Sequence, residues 1–218
     1  MSTLAVLPVK SFGRAKQRLG EAVAGVARRE LAAAMVGDVI DALGAVDALD
    51  GVIVVSAEDA TGIEAAPGVL EVVHDPVEAG QSAAAARGVR TAVARGARRV
   101  LLVPGDCPAL APGELDELLA TAGPGVVIVP DRHGSGTNAL LIDPPTALTP
   151  AFGPGSFARH AALAHGAGAT VRVGRLPSLE LDVDTPGDLE ALRAALDAGR
   201  GGAAPRTREL LERLVRAA

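Results

Sequence analysis

Arg99-Val100-Leu101-Leu102-Val103-Pro104-Gly105-Asp106-Cys107-Pro108 joins an apolar run to a tight acidic turn. The run from Arg99 to Val103 predicts a buried strand, because its aliphatic residues follow one another without a polar face. Pro104 and Gly105 end the strand, so Asp106 is expected just beyond its carboxyl end. In an open α/β sheet that rim is where ligands bind. A carboxylate held there suits a divalent cation, or else it caps the helix that follows. Three other stretches bear on the choice: Leu4 to Leu19, Pro130 to Leu141 and Leu181 to Leu189.

The remaining chain alternates strand and helix signals. Leu4 to Val9, Gly51 to Ser56, Val69 to Val73, Val126 to Pro130, Ala139 to Asp143 and Thr170 to Val173 are apolar and rich in β-branched residues, as strands are. Leu31, Met35, Val39 and Leu43 recur at helical spacing within Ala27 to Leu43. Further helices are expected over Ala83 to Ala94, from Pro112 to Ala122, after Ser156, and after Thr185 or Asp188, both cap types. This alternation predicts a single three-layer α/β/α domain with a mostly parallel mixed sheet, and an antiparallel excursion between Pro130 and Asp143. The domain is placed at residues 1–198. Gly199 to Pro205 reads as a flexible linker, and Thr207 to Val215 as a short amphipathic helix that packs back or meets a second subunit.

Composition narrows the function. The chain has 218 residues, enough for one large domain. Its aromatic content is 1%, with no Trp or Tyr, so stacking platforms for single-stranded nucleic acid are excluded. A net charge of -5 argues against a general polyanion binder, so any anion site must be local. One cysteine, Cys107, makes no internal disulfide and reads as a small buried turn residue. Thr3 and Leu4 enter a strand at once, so no signal peptide is expected, and no apolar run reaches the ~20 residues that span a bilayer. A cytoplasmic protein is the expectation.

Several loops carry candidate chemistry. Lys10, Arg14, Lys16 and Arg18 crowd the loop after the first strand. It lacks the glycine spacing of a Walker loop, yet a basic loop at that place suits a triphosphate as well as it suits solvent. Gln81 and Ser82 open a helix, where they contact a base or ribose, or Ser82 simply caps it. Asp131-Arg132-His133-Gly134-Ser135-Gly136-Thr137-Asn138 offers backbone N–H groups and two hydrogen-bonding side chains, or is an ordinary hairpin loop. Gly153-Pro154-Gly155-Ser156 feeds a helix whose N-terminus suits a phosphate or carboxylate, with Arg159 and His160 adding positive charge or facing solvent. Asp182 and Asp184 alternate with Leu181 and Val183 at strand spacing, so both carboxylates are expected on one face. Such a pair repels unless a cation or a basic group lies between. Basic groups after the first strand and acids at the rim are what metal-assisted nucleotidyl transfer requires.

These motifs resemble the nucleotidyltransferases of GT-A-like fold, and among them the guanylyltransferases of coenzyme F420 biosynthesis. Pro8-Val9-Lys10, Ala15-Lys16-Gln17-Arg18-Leu19, Gly105-Asp106-Cys107-Pro108, Arg132-His133-Gly134-Ser135-Gly136-Thr137-Asn138, Phe152-Gly153-Pro154-Gly155-Ser156 and Asp182-Val183-Asp184-Thr185-Pro186 carry the resemblance, which spans Leu4 to Leu196. It implies transfer of GMP from GTP to phosphoenolpyruvate, or to 2-phospho-L-lactate, with release of pyrophosphate and delivery of the product to a downstream F420 transferase. It also implies Mg²⁺ on Asp106, Asp182 and Asp184, an acceptor site at Thr137, Gly153 and Ser156, and a basic loop at Lys10 and Lys16. Guanine selection is expected near Gln81 and Ser82. A molybdenum-cofactor guanylyltransferase is disfavoured by Pro8-Val9-Lys10, a GT-A sugar transferase by the basic loop, and a silent nucleotide-binding regulator by the three acids.

Overall fold

The computed structural model describes residues 2–12, 19, 25–57, 63 and 66–217. The strands are β1 (Thr3–Val9), β2 (Gly51–Ser56), β3 (Val69–His74), β4 (Arg99–Leu102), β5 (Gly125–Pro130), β6 (Thr137–Asp143) and β7 (Val171–Val173). The helices are α1 (Gly25–Gly44), α2 (Gln81–Ala94), α3 (Pro112–Thr121), α4 (Ser156–Gly166), α5 (Pro186–Asp197) and α6 (Pro205–Ala217), with a 3₁₀ turn at Pro177–Glu180.

One 7-stranded sheet runs in the order β3-β2-β1-β4-β6-β5-β7. β6 pairs antiparallel with both β4 and β5, while β1, β2, β3 and β4 pair parallel. The expected antiparallel excursion is therefore present, and the returning strand inserts between β4 and β5. β1, β2 and β4 are buried on both faces, so their aliphatic runs read without alternation, while the edge strand β3 is partly exposed. One face packs Leu7, Val54, Leu101 and Leu141 beneath Val39, Ile40 and Leu43 of α1 and Leu115 of α3. The other packs Val6, Ile53, Val55 and Leu140 beneath Ala85 and Val89 of α2 and Ala164 of α4.

A third apolar cluster joins Leu31 and Met35 of α1 to Leu192 and Leu196 of α5 and to Leu210 and Leu211 of α6. The C-terminal helix thus packs back on the domain. Asp38 of α1 caps it by accepting the N–H groups of Arg206 (3.0 Å) and Thr207 (2.8 Å). Residues 199–205 are held in place rather than tethering freely. The Gly202 amide donates to the Ala109 carbonyl at 2.7 Å, and a Cβ at Gly202 would lie 2.2 Å from the Leu110 carbonyl oxygen.

One expected strand is absent. Residues 181–184 form irregular chain after the 3₁₀ turn that Pro177 begins, and Pro186 starts α5 directly behind them. Their backbone is tied to the sheet rim by a hydrogen bond from the Val183 N–H to the Asp106 carbonyl, 3.0 Å, and not by a strand ladder. Val183 is still buried, so the inward apolar residue survives without the strand.

Helix α2 lies close on the sheet because Gly88 has no side chain. A Cβ there would come within 2.3 Å of Val6 Cγ1 and 3.0 Å of Val55 Cγ2. Alanine is the better helix former by about 1 kcal/mol, but overpacking a filled core costs about 1–3 kcal/mol. Gly88→Ala is therefore expected to lower the urea midpoint of unfolding, and an unchanged or higher midpoint would show that α2 can lift off the sheet.

Candidate active site

The order of the sheet makes the site. From β1 the chain moves outward to β2 and β3, then returns to place β4 on the other side of β1. The loops after β1 and β4 therefore diverge, and a crevice opens between them. A cavity of about 250 Å³ lies there. Met35 and Val36 of α1 and Ala84 of α2 give it apolar surface; Lys10, Asp106, Asp184 and Gln81 bring polar groups to the same space. Gly105 lets the turn after β4 lie against α1, since a Cβ would meet Val36 Cγ2 at 2.9 Å. Arg14 and Lys16 lie outside the described residues.

Asp182 stands beside this cavity. Burial raises its pKa, and the charge of Asp106 adds to the effect, with Asp184 acting in the same direction; a hydrogen bond from Asn138 opposes them. Asp182 is thus near enough to feel the charge of both other acids expected to share a site with it, although Asp182 and Asp184 do not lie on a strand. Asn138 fixes Asp182: its Nδ2 donates to Asp182 Oδ1 at 3.1 Å and to the Leu179 carbonyl at 2.6 Å. Three hard carboxylates with mutual repulsion are the donor chemistry that suits a divalent cation. In the present side-chain positions, no group of three or more His, Cys, Asp or Glu among the described residues is drawn into a ligand set. A cation would have to draw them together.

The neighbouring chain is braced. Thr185 caps α5 by accepting the Asp188 N–H, and Asp188 accepts the N–H groups of Asp184 (2.9 Å) and Thr185 (2.7 Å). Burial pushes the Asp188 pKa up, but these N–H groups, the Thr185 hydroxyl and Arg132 together hold it below the usual value. The ion pair of Arg132 with Asp188 ties the loop before β6 to the start of α5. Glu114 holds the 3₁₀ turn through the hydroxyl and N–H of Ser178, at 2.8 and 3.1 Å. Cys107 is buried with its Sγ 3.6 Å from the Leu179 carbonyl, in the structural role expected of it.

Hydrogen bonds in the structure bear on two readings left open by the sequence, the loop before β6 and the start of α2. The N–H groups of Ser135 and Gly136 both donate to the carboxylate of Asp131 at 2.9 Å, so that loop already encloses an anion of its own. Ser82 does not cap α2. Gly80 precedes the helix, and the Ser82 hydroxyl donates to the Phe152 carbonyl at 3.4 Å, while Gln81 lines the cavity.

The start of β6 serves two sides, as alternation along a strand requires. Asn138 reaches the acids. Thr137 turns toward α4, where its Oγ1 lies 3.0 Å from His160 Nδ1 and 3.3 Å from Ser156 Oγ. Gly155 in the left-handed conformation, not Ser156, precedes α4, so the Ser156 hydroxyl is released from capping. Arg159 is exposed, as one of its two expected readings has it. It grips the turn before α4 through the carbonyls of Ala151 (2.8 Å) and Pro154 (2.7 Å), which shapes the chain around Gly153. His160 is 0% exposed, and burial, aided by the charge of Arg159, lowers its pKa to about 4. It adds no positive charge at neutral pH. The signal missed in the sequence was its spacing: His160 follows Ser156 by one helical turn and so shares its face.

In the structure, then, Lys10, Gln81, Asp106 and Asp184 meet at one cavity with Asp182 beside it, and Thr137 and Ser156 touch each other next to the Gly153 turn. Solved structures share this architecture. A nucleotidyl transferase from Methanothermobacter thermautotrophicus has a TM-score of 0.64 at 21% identity, covering 91% of this chain and 99% of that one. A protein from Desulfovibrio desulfuricans G20 assigned as a nucleotide-diphospho-sugar transferase reaches 0.74 at 18% identity, covering 98% of each chain. The fold is that of the GT-A-like nucleotidyltransferases. Within that class the chain belongs to the family of CofC-like guanylyl transferases, which it matches over residues 3–212. It is 49% identical to a phosphoenolpyruvate guanylyltransferase of Conexibacter woesei, covering 99% of this chain and 98% of the relative. Another from Sphaerobacter thermophilus is 40% identical over 88% of this chain and 93% of its own length.

The buried imidazole makes stability depend on pH. The His160 pKa falls from 6.5 to about 4 in the folded protein, so between these values the unfolded chain takes the proton first. The stability it contributes is whole above pH 6.5 and is lost as the pH falls toward 4; the separation corresponds to about 3 kcal/mol. Urea unfolding at pH 7 and at pH 4.5 should show a drop that His160→Asn reduces; an equal drop in both proteins would place the acid sensitivity elsewhere.

Proposed function

We propose that this chain transfers GMP from GTP to phosphoenolpyruvate, giving enolpyruvyl-2-diphospho-5'-guanosine and pyrophosphate, as the guanylyl step of coenzyme F420 biosynthesis. The observation that carries this reading is the meeting of Lys10 with Asp106 and Asp184 at the crevice beside β1 and β4, in a member of a guanylyl transferase family. The names of the relatives at 49% and 40% identity favour phosphoenolpyruvate over 2-phospho-L-lactate as acceptor. The product would pass to a downstream transferase that builds the coenzyme. No helix among the described residues is long and apolar enough to cross a membrane.

Asp106, Asp182 and Asp184 would hold Mg²⁺, which neutralises charge on the nucleotide phosphates when bound. The remaining work falls to the chain. Lys10, with Arg14 and Lys16 that follow it in sequence, binds the triphosphate and stabilises the charge that grows on the departing pyrophosphate. The apolar surface of Met35 and Val36 receives the nucleoside, with Gln81 at its polar edge. The hydroxyls of Thr137 and Ser156 and the Gly153 turn hold the carboxylate and phosphate of the acceptor. An oxygen of the acceptor phosphate forms a bond to the α-phosphorus, and the bond from that phosphorus to the bridging oxygen breaks. The attacking phosphate is already ionised at neutral pH, so no side chain has to remove a proton. Held in line with the leaving group, it gains its rate from positioning.

Pyrophosphate release with GTP, Mg²⁺ and each acceptor separately tests the reading, with ATP and chelator as controls. Release with GTP and phosphoenolpyruvate alone is expected, and Asp106→Ala should cut kcat by about 10³-fold or more. Release only with 2-phospho-L-lactate would change the acceptor. No release with either would refute the F420 assignment.

A further inference from the structure

Ala151, His160, Thr137 and Ser156 form a chain of hydrogen bonds behind the Gly153 turn. The Ala151 N–H lies 2.9 Å from His160 Nε2. A backbone N–H can only donate, so Nε2 must carry a lone pair and the ring proton must sit on Nδ1. Nδ1–H then donates to Thr137 Oγ1 at 3.0 Å. One hydroxyl proton is used between Ser156 and Thr137, whose oxygens are 3.3 Å apart. The other has no acceptor within the chain of four and must point out of it. Thr137, 7% exposed against 2% for Ser156, lies nearer the surface. Phe152 closes over the ring edge-on, with centroids 5.0 Å apart and planes at 77°.

We propose that His160 is a positioning residue of the acceptor site: its Nδ1–H tautomer, set by the Ala151 amide, turns the Thr137–Ser156 pair so that a hydroxyl proton faces an oxyanion of the acceptor. The inference rests on the reading of Thr137 and Ser156 as acceptor-binding residues. The opposite tautomer would present two donors to each other at Nε2 and ask Thr137 to donate inward, leaving the anion a lone pair instead of a proton. Ala151 and Thr137 hydrogen-bond the ring, Phe152 packs on it, and the charge that acts on it is that of Arg159. The ring takes a second proton only near pH 4, so the chain keeps its direction through the neutral range.

Two variants divide the functions of the ring. An amide placed by His160→Asn reaches the position of Nδ1 and restores a donor to Thr137. An amide placed by His160→Gln reaches the position of Nε2, accepts from Ala151, and leaves Thr137 without its donor. Steady-state kinetics should show KM for phosphoenolpyruvate raised about 10-fold to 100-fold in His160→Gln, as for loss of a hydrogen bond to a charged group. KM for GTP should stay within about twofold, and His160→Asn should recover most of the loss. Equal effects of the two variants, or KM for both substrates moving together with stability, would overturn the proposal. Imidazole nitrogen spectra of the unmodified protein read the tautomer without turnover, and should show Nδ1 protonated and Nε2 bare from pH 5.5 to 8. If the protein turns over phosphoenolpyruvate but carries its proton on Nε2, the inference falls alone. If the tautomer is right but neither three-carbon acceptor reacts, the reading of the site falls and takes the role of His160 with it.

Discussion

The site depends on one backbone hydrogen bond, from the Val183 N–H to the Asp106 carbonyl. It joins the acidic turn that ends β4 to a segment near the end of the domain. The side chains then reinforce it: Cys107 and Asn138 both reach the Leu179 carbonyl, and Asn138 also holds Asp182. Backbone carbonyls carry no net charge, so this stitching brings carboxylates close without adding to their repulsion. The cost appears instead in Asp182, whose pKa is raised by burial and by Asp106.

A protein keeps such a cluster at some expense in stability. Mutual repulsion of carboxylates is a state that a cation would relieve, and under the proposed function the gain from relief would become binding energy for the metal and the phosphates it accompanies. The chain spends its other polar contacts on holding this arrangement still. Asp188, Arg132, Glu114 and Asp131 each satisfy backbone donors or an ion pair, so among the described residues the acidic rim is braced in place. Rigidity of this kind shortens the path to the reactive geometry.

Much of this was legible from the residues. The aliphatic runs gave strands because a parallel sheet buries both faces, and Leu31, Met35, Val39 and Leu43 gave a helix because their spacing leaves one apolar stripe. Asp106 at a strand end and Thr185 ahead of a helix depended only on neighbours in sequence. The failures have physical reasons. Asp182 and Asp184 alternate with apolar residues, yet no partner strand is there to pair with, so alternation did not make a strand. Ser135 and Gly136 looked ready for a ligand, but Asp131 reaches them first. His160 looked like a surface cation, and burial against Phe152 and Thr137 made it a neutral link.

The sequence alone determined the class of fold, the composition of the core, the strand-end position of Asp106 and the family to which the motifs belong. These follow from period, turn chemistry and residue type, which act over a few neighbouring residues. Tertiary structure decided where β6 inserts, which N–H groups remain open to an anion, which carboxylates feel one another, and which nitrogen of His160 carries the proton. Each of those is a contest for a hydrogen-bond partner or for solvent between segments distant in sequence, as when Asn138 finds Asp182 across 44 residues. Such contests are settled only when the sheet has closed around them.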